Sequence, residues 1–282
     1  MTDRAAPARP SEAELDEFLY TAIAAARAAG RIQLEELGSD LQVTTKSTDS
    51  DLVTRVDRLC EERIREVVLT AHPEHVFVGE EGSSGSAGGA QGNTDQRYRW
   101  IVDPIDGTVN YAHGFPFFCV SVALEFEGHV VVGVVLDPSR DELFCAVTGR
   151  GATLNGVSLT VSSAAALSEA LVATGFAYDV PTRLTNLALF AKVLPVVRGV
   201  RRAGAAALDV CYVACGRLDA FWELELKPWD VAAATLILRE AGGSASGREG
   251  LPYRLTDDLL VATNGKLHVK LLDLLGVSEL RA

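Results

Sequence analysis

The sequence predicts an α+β protein, with helices and an antiparallel meander in its first half and strands alternating with helices in its second. Three observations carry this. Two amphipathic stretches open the chain, one after Ser11 and one after Asp51, with apolar residues at helical spacing. Between Trp100 and Gly156, strand-like runs follow one another with only short turns between them. From Ala170 onward, strand and helix patterns alternate. A chain of 282 residues holds one large domain or two intimate ones. No repeat or linker divides it, so the expected organisation is a disordered tail over residues 1–10 and a single unit over 11–282. The two halves of that unit meet at about residue 165.

Ser11-Glu-Ala-Glu14 has the form of a capping box. Leu15, Phe18, Leu19, Ala22, Ile23 and Ala26 then mark a long helix that passes Gly30 and stops at Gly38. A second helix is expected from Asp51 to about Ala71, with Leu52, Val56, Leu59, Ile64 and Val67 on its apolar side. Val76-Phe-Val78 reads as a strand ending at Gly79, and the Gly-, Ser- and Ala-rich stretch from Gly82 to Gln96 as a mobile loop. Trp100-Ile-Val102 is a buried strand running into Asp103. Val120–Phe126 and Val130–Leu136 pair around Glu127-Gly128, and Asp141–Val147 and the Asn155-Gly156 hairpin turn continue the meander. In the second half, strands are expected at Leu171–Thr174, Leu218–Trp222 and Leu260–Thr263. Helices are expected at Thr182–Val197, Ala205–Cys215 and Val231–Glu240, with one more at the end.

Composition excludes several classes. No stretch approaches the roughly 20 apolar residues of a spanning helix, and the first residues carry prolines and charges where a secretory signal would be apolar. A soluble cytoplasmic protein is expected. Five cysteines are scattered without a Cys-x-x-Cys pair, so they read as small buried hydrophobes. His72 and His75, in a Pro-containing connector, read as surface histidines. With a formal charge of −12 and no run of Lys or Arg, the chain has no electrostatic footprint for nucleic acid. Arg198, Arg201 and Arg202 read as a solvated helix approach.

The most informative stretch is Trp100-Ile-Val-Asp103-Pro-Ile-Asp106-Gly-Thr108-Val-Asn110-Tyr. A buried strand ends in two aspartates. Pro104 prevents the strand from continuing and lets both carboxylates turn to one side. Gly107 lets backbone N–H groups approach a ligand, and the residues after it begin a helix whose free amides attract an anion. Asp-Pro and Asp-Gly are also ordinary turn dipeptides, so the decision rests on other acids. Gly79-Glu80-Glu81 puts a carboxylate at another strand end, and Trp229-Asp230 puts one at a helix start, where Asp is equally an N-cap. Four acids brought together repel one another severely without cations. Oxygen donors of this kind suit Mg²⁺ rather than zinc.

Asp103-Pro-Ile-Asp106-Gly-Thr108, with Asn110-Tyr111-Ala112-His113-Gly114 after it, resembles the first signature of the inositol monophosphatase family. Trp229-Asp230-Val-Ala-Ala, leading to Glu240-Ala-Gly-Gly243, resembles its second. Gly79-Glu80-Glu81, and Lys46 with Asp51-Leu-Val-Thr54 and Asp57, match the remaining blocks in order, so the resemblance covers about Ala22 to Leu274. It implies a layered αβαβα sandwich, usually a homodimer, and a Mg²⁺-dependent phosphatase acting on a small phosphorylated polyol, with no nucleic-acid or membrane partner. By the same resemblance, Glu80, Asp103 and the Ile105 carbonyl bind one Mg²⁺. Asp103, Asp106 and Asp230 bind a second, and Glu80 reaches a weaker third through water. Gly107 and Thr108 bind phosphate through their amides. Asp57, Glu80 and the Thr108 hydroxyl orient and activate the attacking water, and Glu223 grips substrate hydroxyls.

Two departures fall on the substrate side. Ala205-Ala206 follows Gly204 where many members carry Ser or Thr, so a hydroxyl contact is missing although Ala206 keeps its place beside the substrate. Glu225 stands where a small or neutral residue is common. The leading substrate is inositol 1-phosphate or a similar polyol phosphate. The alternatives are histidinol phosphate, whose cationic amine would suit Glu223 and Glu225, and fructose 1,6-bisphosphate or 3′-phosphoadenosine 5′-phosphate. A regulatory scaffold on a retired phosphatase fold is the reading from another class, and the presence of every expected acid argues against it.

Overall fold

The structure, a computed structural model, describes residues 9–46, 52–82, 84–85 and 95–277. Helix α1 (Glu12–Glu36) opens with the expected capping box. Glu14 N–H donates to the Ser11 hydroxyl, and the Glu14 carboxylate accepts from the Ser11 N–H at 2.7 Å. Strands β1 (Thr44–Thr45) and β2 (Leu52–Val53) then pair antiparallel. Helix α2 (Arg55–Ala71) begins later than Asp51, because Thr54 is its N-cap and Asp57 its reciprocal partner. Leu52, counted above on the helix face, is extended, as is Val53.

Strands β3 (His75–Gly79), β4 (Ser84–Gly85) and β5 (Asp95–Asp106) are followed by the short helix α3 (Thr108–Ala112). Strands β6 (Cys119–Phe126), β7 (His129–Asp137), β8 (Glu142–Val147), β9 (Ala152–Leu154) and β10 (Val157–Ser158) complete the meander. They form one sheet in the order β10-β9-β8-β7-β6-β5-β3-β4, antiparallel except between β3 and β5. Glu127-Gly128 and Asn155-Gly156 make its hairpin turns with positive φ at each residue, as the two-residue turns require. Of the loop expected over Gly82–Gln96, Ser83 and residues 86–94 lie outside the described residues, while Ser84 and Gly85 pair with β3.

The second half contains β11 (Leu171–Thr174), α4 (Val180–Val193), β12 (Gly199–Arg201), α5 (Ala206–Ala214), β13 (Ala220–Leu224), α6 (Pro228–Glu240), β14 (Ser244–Ser246), β15 (Leu259–Thr263) and α7 (His268–Leu275). Its sheet runs β12-β11-β13-β15-β14, parallel across the first three strands and antiparallel on either side of β15. The segment read as a solvated helix approach is instead the edge strand β12, which carries Arg201 and delivers Arg202 to the cavity described below.

Helices α1 and α2 cover one face of the large sheet. Helices α5 and α6 fill the space between the two sheets, and α4 and α7 cover the outer face of the small one. This is the αβαβα sandwich. The middle layer sits close because Gly133 in β7 has no side chain: a Cβ there would lie 2.7 Å from the Ala233 carbonyl oxygen of α6. All five cysteines are free; 60, 119, 145 and 211 are buried as expected, while Cys215 is only half-buried.

His72 and His75 are buried, not on the surface. Their rings stack on each other with centroids 4.9 Å apart, and His75 also stacks on Tyr98 at 4.4 Å. Trp100 Nε1–H donates to His75 Nδ1 at 3.1 Å, and His72 Nε2 meets the Thr21 hydroxyl at 3.1 Å. Burial, then the neighbouring His72, lowers the His75 pKa to about 4, and burial lowers that of His72. The unfolded chain binds these protons more readily than the folded one. The stability contributed by the neutral rings is therefore complete above the unfolded pKa and is lost as pH falls from about 6.5 toward about 4. His75→Gln keeps an acceptor for Trp100 and does not titrate. It should reduce the loss of thermal midpoint between pH 6.5 and 4.5 by on the order of 5 °C. Equal acid sensitivity of variant and wild type, followed by circular dichroism, would rule this out.

Candidate active site

In a regular strand, Asp103 and Asp106 would point to opposite faces, since side chains alternate. The structure resolves this with a bulge. Strand β5 does not stop at Pro104, as the sequence suggested, but continues to Asp106 with a register slip: Asp103 pairs with Ser121 and Asp106 with Cys119, so two residues oppose one. Pro104 sits where the ladder needs no donor, and both carboxylates face the same cavity.

That cavity, of about 390 Å³, draws on both halves of the chain. Lys46, Glu80, Asp103, Ile105, Asp106, Gly107 and Thr108 line it from the first half, and Ala206, Glu223 and Asp230 from the second. All the expected site residues are thus gathered there except Asp57, which lies immediately behind Thr108. The Thr108 hydroxyl is 3.1 Å from Asp57 Oδ1 and 3.0 Å from the Ile105 carbonyl oxygen. Periodicity alone put Asp57 on the surface, yet it is fully buried. Its Oδ2 accepts from the Thr54 N–H at 2.7 Å and the Thr54 hydroxyl at 2.6 Å, so the capping box that starts α2 also fixes the acid behind Thr108.

The three aspartates are each held by backbone N–H groups. Asp103 Oδ1 accepts from the Ile105 N–H at 2.9 Å. Asp106 accepts from the Ala206 N–H at 3.1 Å and the Ala207 N–H at 2.7 Å, and so caps α5, whose own N-cap residue Ala205 has no side-chain acceptor. The Ala206 amide is therefore engaged by a protein carboxylate, and what Ala206 presents to the cavity is its small side chain. Asp230 Oδ2 accepts from the Lys227 N–H at 2.7 Å. Gly107 has φ +93°, and a Cβ there would lie 3.0 Å from the Phe117 carbonyl oxygen. Asn110 Nδ2 donates to the carbonyls of Phe117 and Ala203, joining this loop to the second half. The Glu223 carboxylate packs against Gly175, where any Cβ would overlap it.

The electrostatics are those of crowded acids. Burial, opposed by Lys46 and reinforced by Asp230, pushes the Glu80 pKa up to about 7. Burial raises Asp106 to about 6 and Asp230 to about 7. Asp103 is raised well above the ordinary range by burial and by Glu80, Asp106 and Asp230. Lys46 supplies a positive charge beside Glu80. Its Nζ donates to Glu80 Oε1 at 2.8 Å and also pairs with Glu81. Among the described residues, no three His, Cys, Asp or Glu side chains already stand at metal-ligand spacing. The donor set nevertheless suits a hard divalent cation: every donor is an oxygen, and the four carboxylates resist ionising together without added positive charge.

Sequence reasoning missed several contributors. Gln33, fully buried on α1, donates from Nε2 to the Pro104 carbonyl at 2.7 Å, and its backbone carbonyl accepts from the Tyr111 hydroxyl at 2.7 Å. It grips the aspartate loop at two points. A polar residue in line with Ala22, Ala26 and Ala29 was the available signal. Arg202 and the segment Gly175–Asp179 also line the cavity, with no local signal to mark them.

The inositol monophosphatase family model matches residues 14–278. An inositol-1-monophosphatase of Synechocystis is 42% identical over 262 residues, covering 93% of this chain and 89% of its own. Inositol monophosphatase 2 of Solanum lycopersicum is 43% identical over 268 residues, covering 94% of this chain and all of its own. Among solved structures, the extragenic suppressor protein suhB of Bartonella henselae superposes with a TM-score of 0.86 at 38% identity, over 92% of this chain and 98% of that one.

Proposed function

The chain belongs to the inositol monophosphatase family and is a phosphoric monoester hydrolase, and from that premise we propose that it hydrolyses inositol 1-phosphate or a closely similar polyol monophosphate with Mg²⁺. The observation that carries this reading is the convergence of Glu80, Asp103, Asp106, Thr108, Glu223 and Asp230 on one cavity. Glu80, Asp103, Asp106, Asp230 and the Ile105 carbonyl would hold the cations. When bound, these supply Lewis-acid neutralisation of the phosphate and favour ionisation of water near neutral pH.

The residues of the chain do the rest. A hydroxyl has one proton and two lone pairs. With its proton directed to Asp57 Oδ1 or the Ile105 carbonyl, Thr108 Oγ1 keeps lone-pair capacity to accept from the attacking water and aim it in line. In this proposal Asp57, through Thr108, and Glu80 take up that proton. The amides of Gly107 and Thr108 bind phosphate oxygens, and Glu223 accepts from ring hydroxyls. The shared cavity supports treating residues 11–282 as one catalytic unit. A homodimer is part of the proposal, since Val180, Leu184 and Leu187 expose an apolar stripe along α4. So is a cytoplasmic location, and no helix among the described residues is long and apolar enough to cross a membrane.

The test is phosphate release, with Mg²⁺ and with chelator, from inositol 1-phosphate, histidinol phosphate, fructose 1,6-bisphosphate and 3′-phosphoadenosine 5′-phosphate. The expected result is a preference of at least tenfold for inositol 1-phosphate, abolished by chelator. Turnover that survives chelation, or silence across the panel from folded protein, would overturn the proposal.

A further inference from the structure

Helix α4 buries only Asn186 and Val193, so one of the two residues that seat it is polar. Burying an amide is costly unless its groups are hydrogen-bonded, and an apolar residue would fill the same space at less cost. Asn186 is fully engaged. Its Nδ2 donates to the Gly175 carbonyl at 2.5 Å and to the Thr174 hydroxyl at 3.0 Å, and its Oδ1 accepts from Trp222 Nε1–H at 2.8 Å. Thr174 closes the ring, its hydroxyl donating to the Trp222 carbonyl at 2.7 Å.

This ring lies directly behind Glu223. Thr174 and Trp222 are the last pair of the β11–β13 ladder, and Gly175 and Glu223 are the residues that follow them. Side chains alternate along a strand. Trp222 packs into the outer layer with Val193 of α4 and Leu271 of α7, while Glu223 lines the cavity. Asn186 therefore acts from the far face of the sheet, fixing the residue before Glu223 on β13 and the residue beside it at the end of β11.

Glu223 needs such support. Among the described residues no hydrogen bond holds its carboxylate. Its place is set by contact with Gly175, where a Cβ would lie 2.0 Å from Glu223 Oε2. Movement of Gly175 away from β13 would free the carboxylate, and movement toward β13 would displace it.

We infer that Asn186 is a positioning residue for substrate choice: by tying Gly175 to Trp222, it holds the Glu223 carboxylate where the ring hydroxyls of a polyol phosphate are gripped. The inference rests on the polyol-phosphatase reading proposed above. It is tested at saturating Mg²⁺ with inositol 1-phosphate and with phenyl phosphate, whose alcohol carries no further hydroxyl for Glu223. In Asn186→Ala the ratio of KM for inositol 1-phosphate to KM for phenyl phosphate should rise about tenfold, the worth of about one hydrogen bond to a charged group. Thr174→Val keeps the volume, breaks the same ring and should raise the ratio about threefold, so the outcome does not hang on the folding of one variant. In a Glu223→Ala background, Asn186→Ala should change the ratio by less than about twofold, because the group it positions is gone. A merely structural role would raise both KM values together, or would leave the effect undiminished without Glu223. Either result overturns the inference and leaves the polyol-phosphatase reading standing. A wild type that hydrolyses phenyl phosphate but not inositol 1-phosphate overturns that reading, and this inference with it.

Discussion

Asp103→Asn is expected to lower kcat on the order of a thousandfold and, at the same time, to raise the thermal midpoint of the chelator-treated protein. The substitution is isosteric, and the Asn carbonyl can still accept from the Ile105 N–H that now binds Asp103 Oδ1. What it removes is one charge from a crowded group of four, of which Asp103 and Asp106 are buried. Burial and the acids Glu80, Asp106 and Asp230 raise the Asp103 pKa in the folded state. The folded chain therefore holds protons that the unfolded chain has released. The cost to stability is absent below the unfolded pKa of about 4 and grows as pH rises above it. The gain from Asp103→Asn should accordingly be present at pH 8, on the order of 5 °C, and vanish near pH 4. With Mg²⁺ added the order should reverse, because the wild type gains about 2.7 kcal/mol from a cation at a hundred times its Kd and the variant gains less. Calorimetry with and without chelator, beside a phosphate-release assay, reads all three effects. Retained turnover, or a lower midpoint under chelator, would mean that the four acids do not form a cation site.

Much of this arrangement was legible in the sequence, and the rest was hidden for physical reasons. Strands β5 to β8 and helices α5 and α6 are long and bury apolar runs, so their pattern is strong. Edge pieces such as β12 and β14 bury little and have almost no pattern of their own; their register comes from β11 and β15. The Asp103–Asp106 pair was readable as chemistry but misread as geometry, since a bulge depends on how Ser121 and Cys119 sit opposite. Asp57, His72 and His75 were placed outside because polar residues usually are. Each is buried by partners distant in sequence: Thr108 for Asp57, Thr21 for His72 and Trp100 for His75. The engagement of Ala206 by Asp106 spans a hundred residues and left no local trace.

The Thr54–Asp57 capping box offers a way to separate folding from chemistry within three residues. Asp57 uses Oδ2 to cap α2 and Oδ1 to receive the Thr108 hydroxyl, so one side chain serves both. Thr54→Ala removes a cap worth about 0.5–2 kcal/mol. It should lower the thermal midpoint by a few degrees and kcat by less than tenfold. Asp57→Asn should do the opposite. Its amide oxygen can keep the bond to Thr54, so α2 stays capped, and burial of a neutral group removes the desolvation that raises the Asp57 pKa. Its amide nitrogen, however, must donate toward Thr108 Oγ1 where a carboxylate accepted. The hydroxyl proton then turns to the Ile105 carbonyl, 3.0 Å away, and a lone pair meant for water is taken by the Asn N–H. Loss of that acceptor should reduce kcat by about a hundredfold to ten-thousandfold with little change in midpoint. If both variants lose activity in proportion to stability, Asp57 is only a helix cap and the proton acceptor lies elsewhere, with Glu80 the first residue to test. If the two effects separate as described, Thr108 and Asp57 act together on the attacking water.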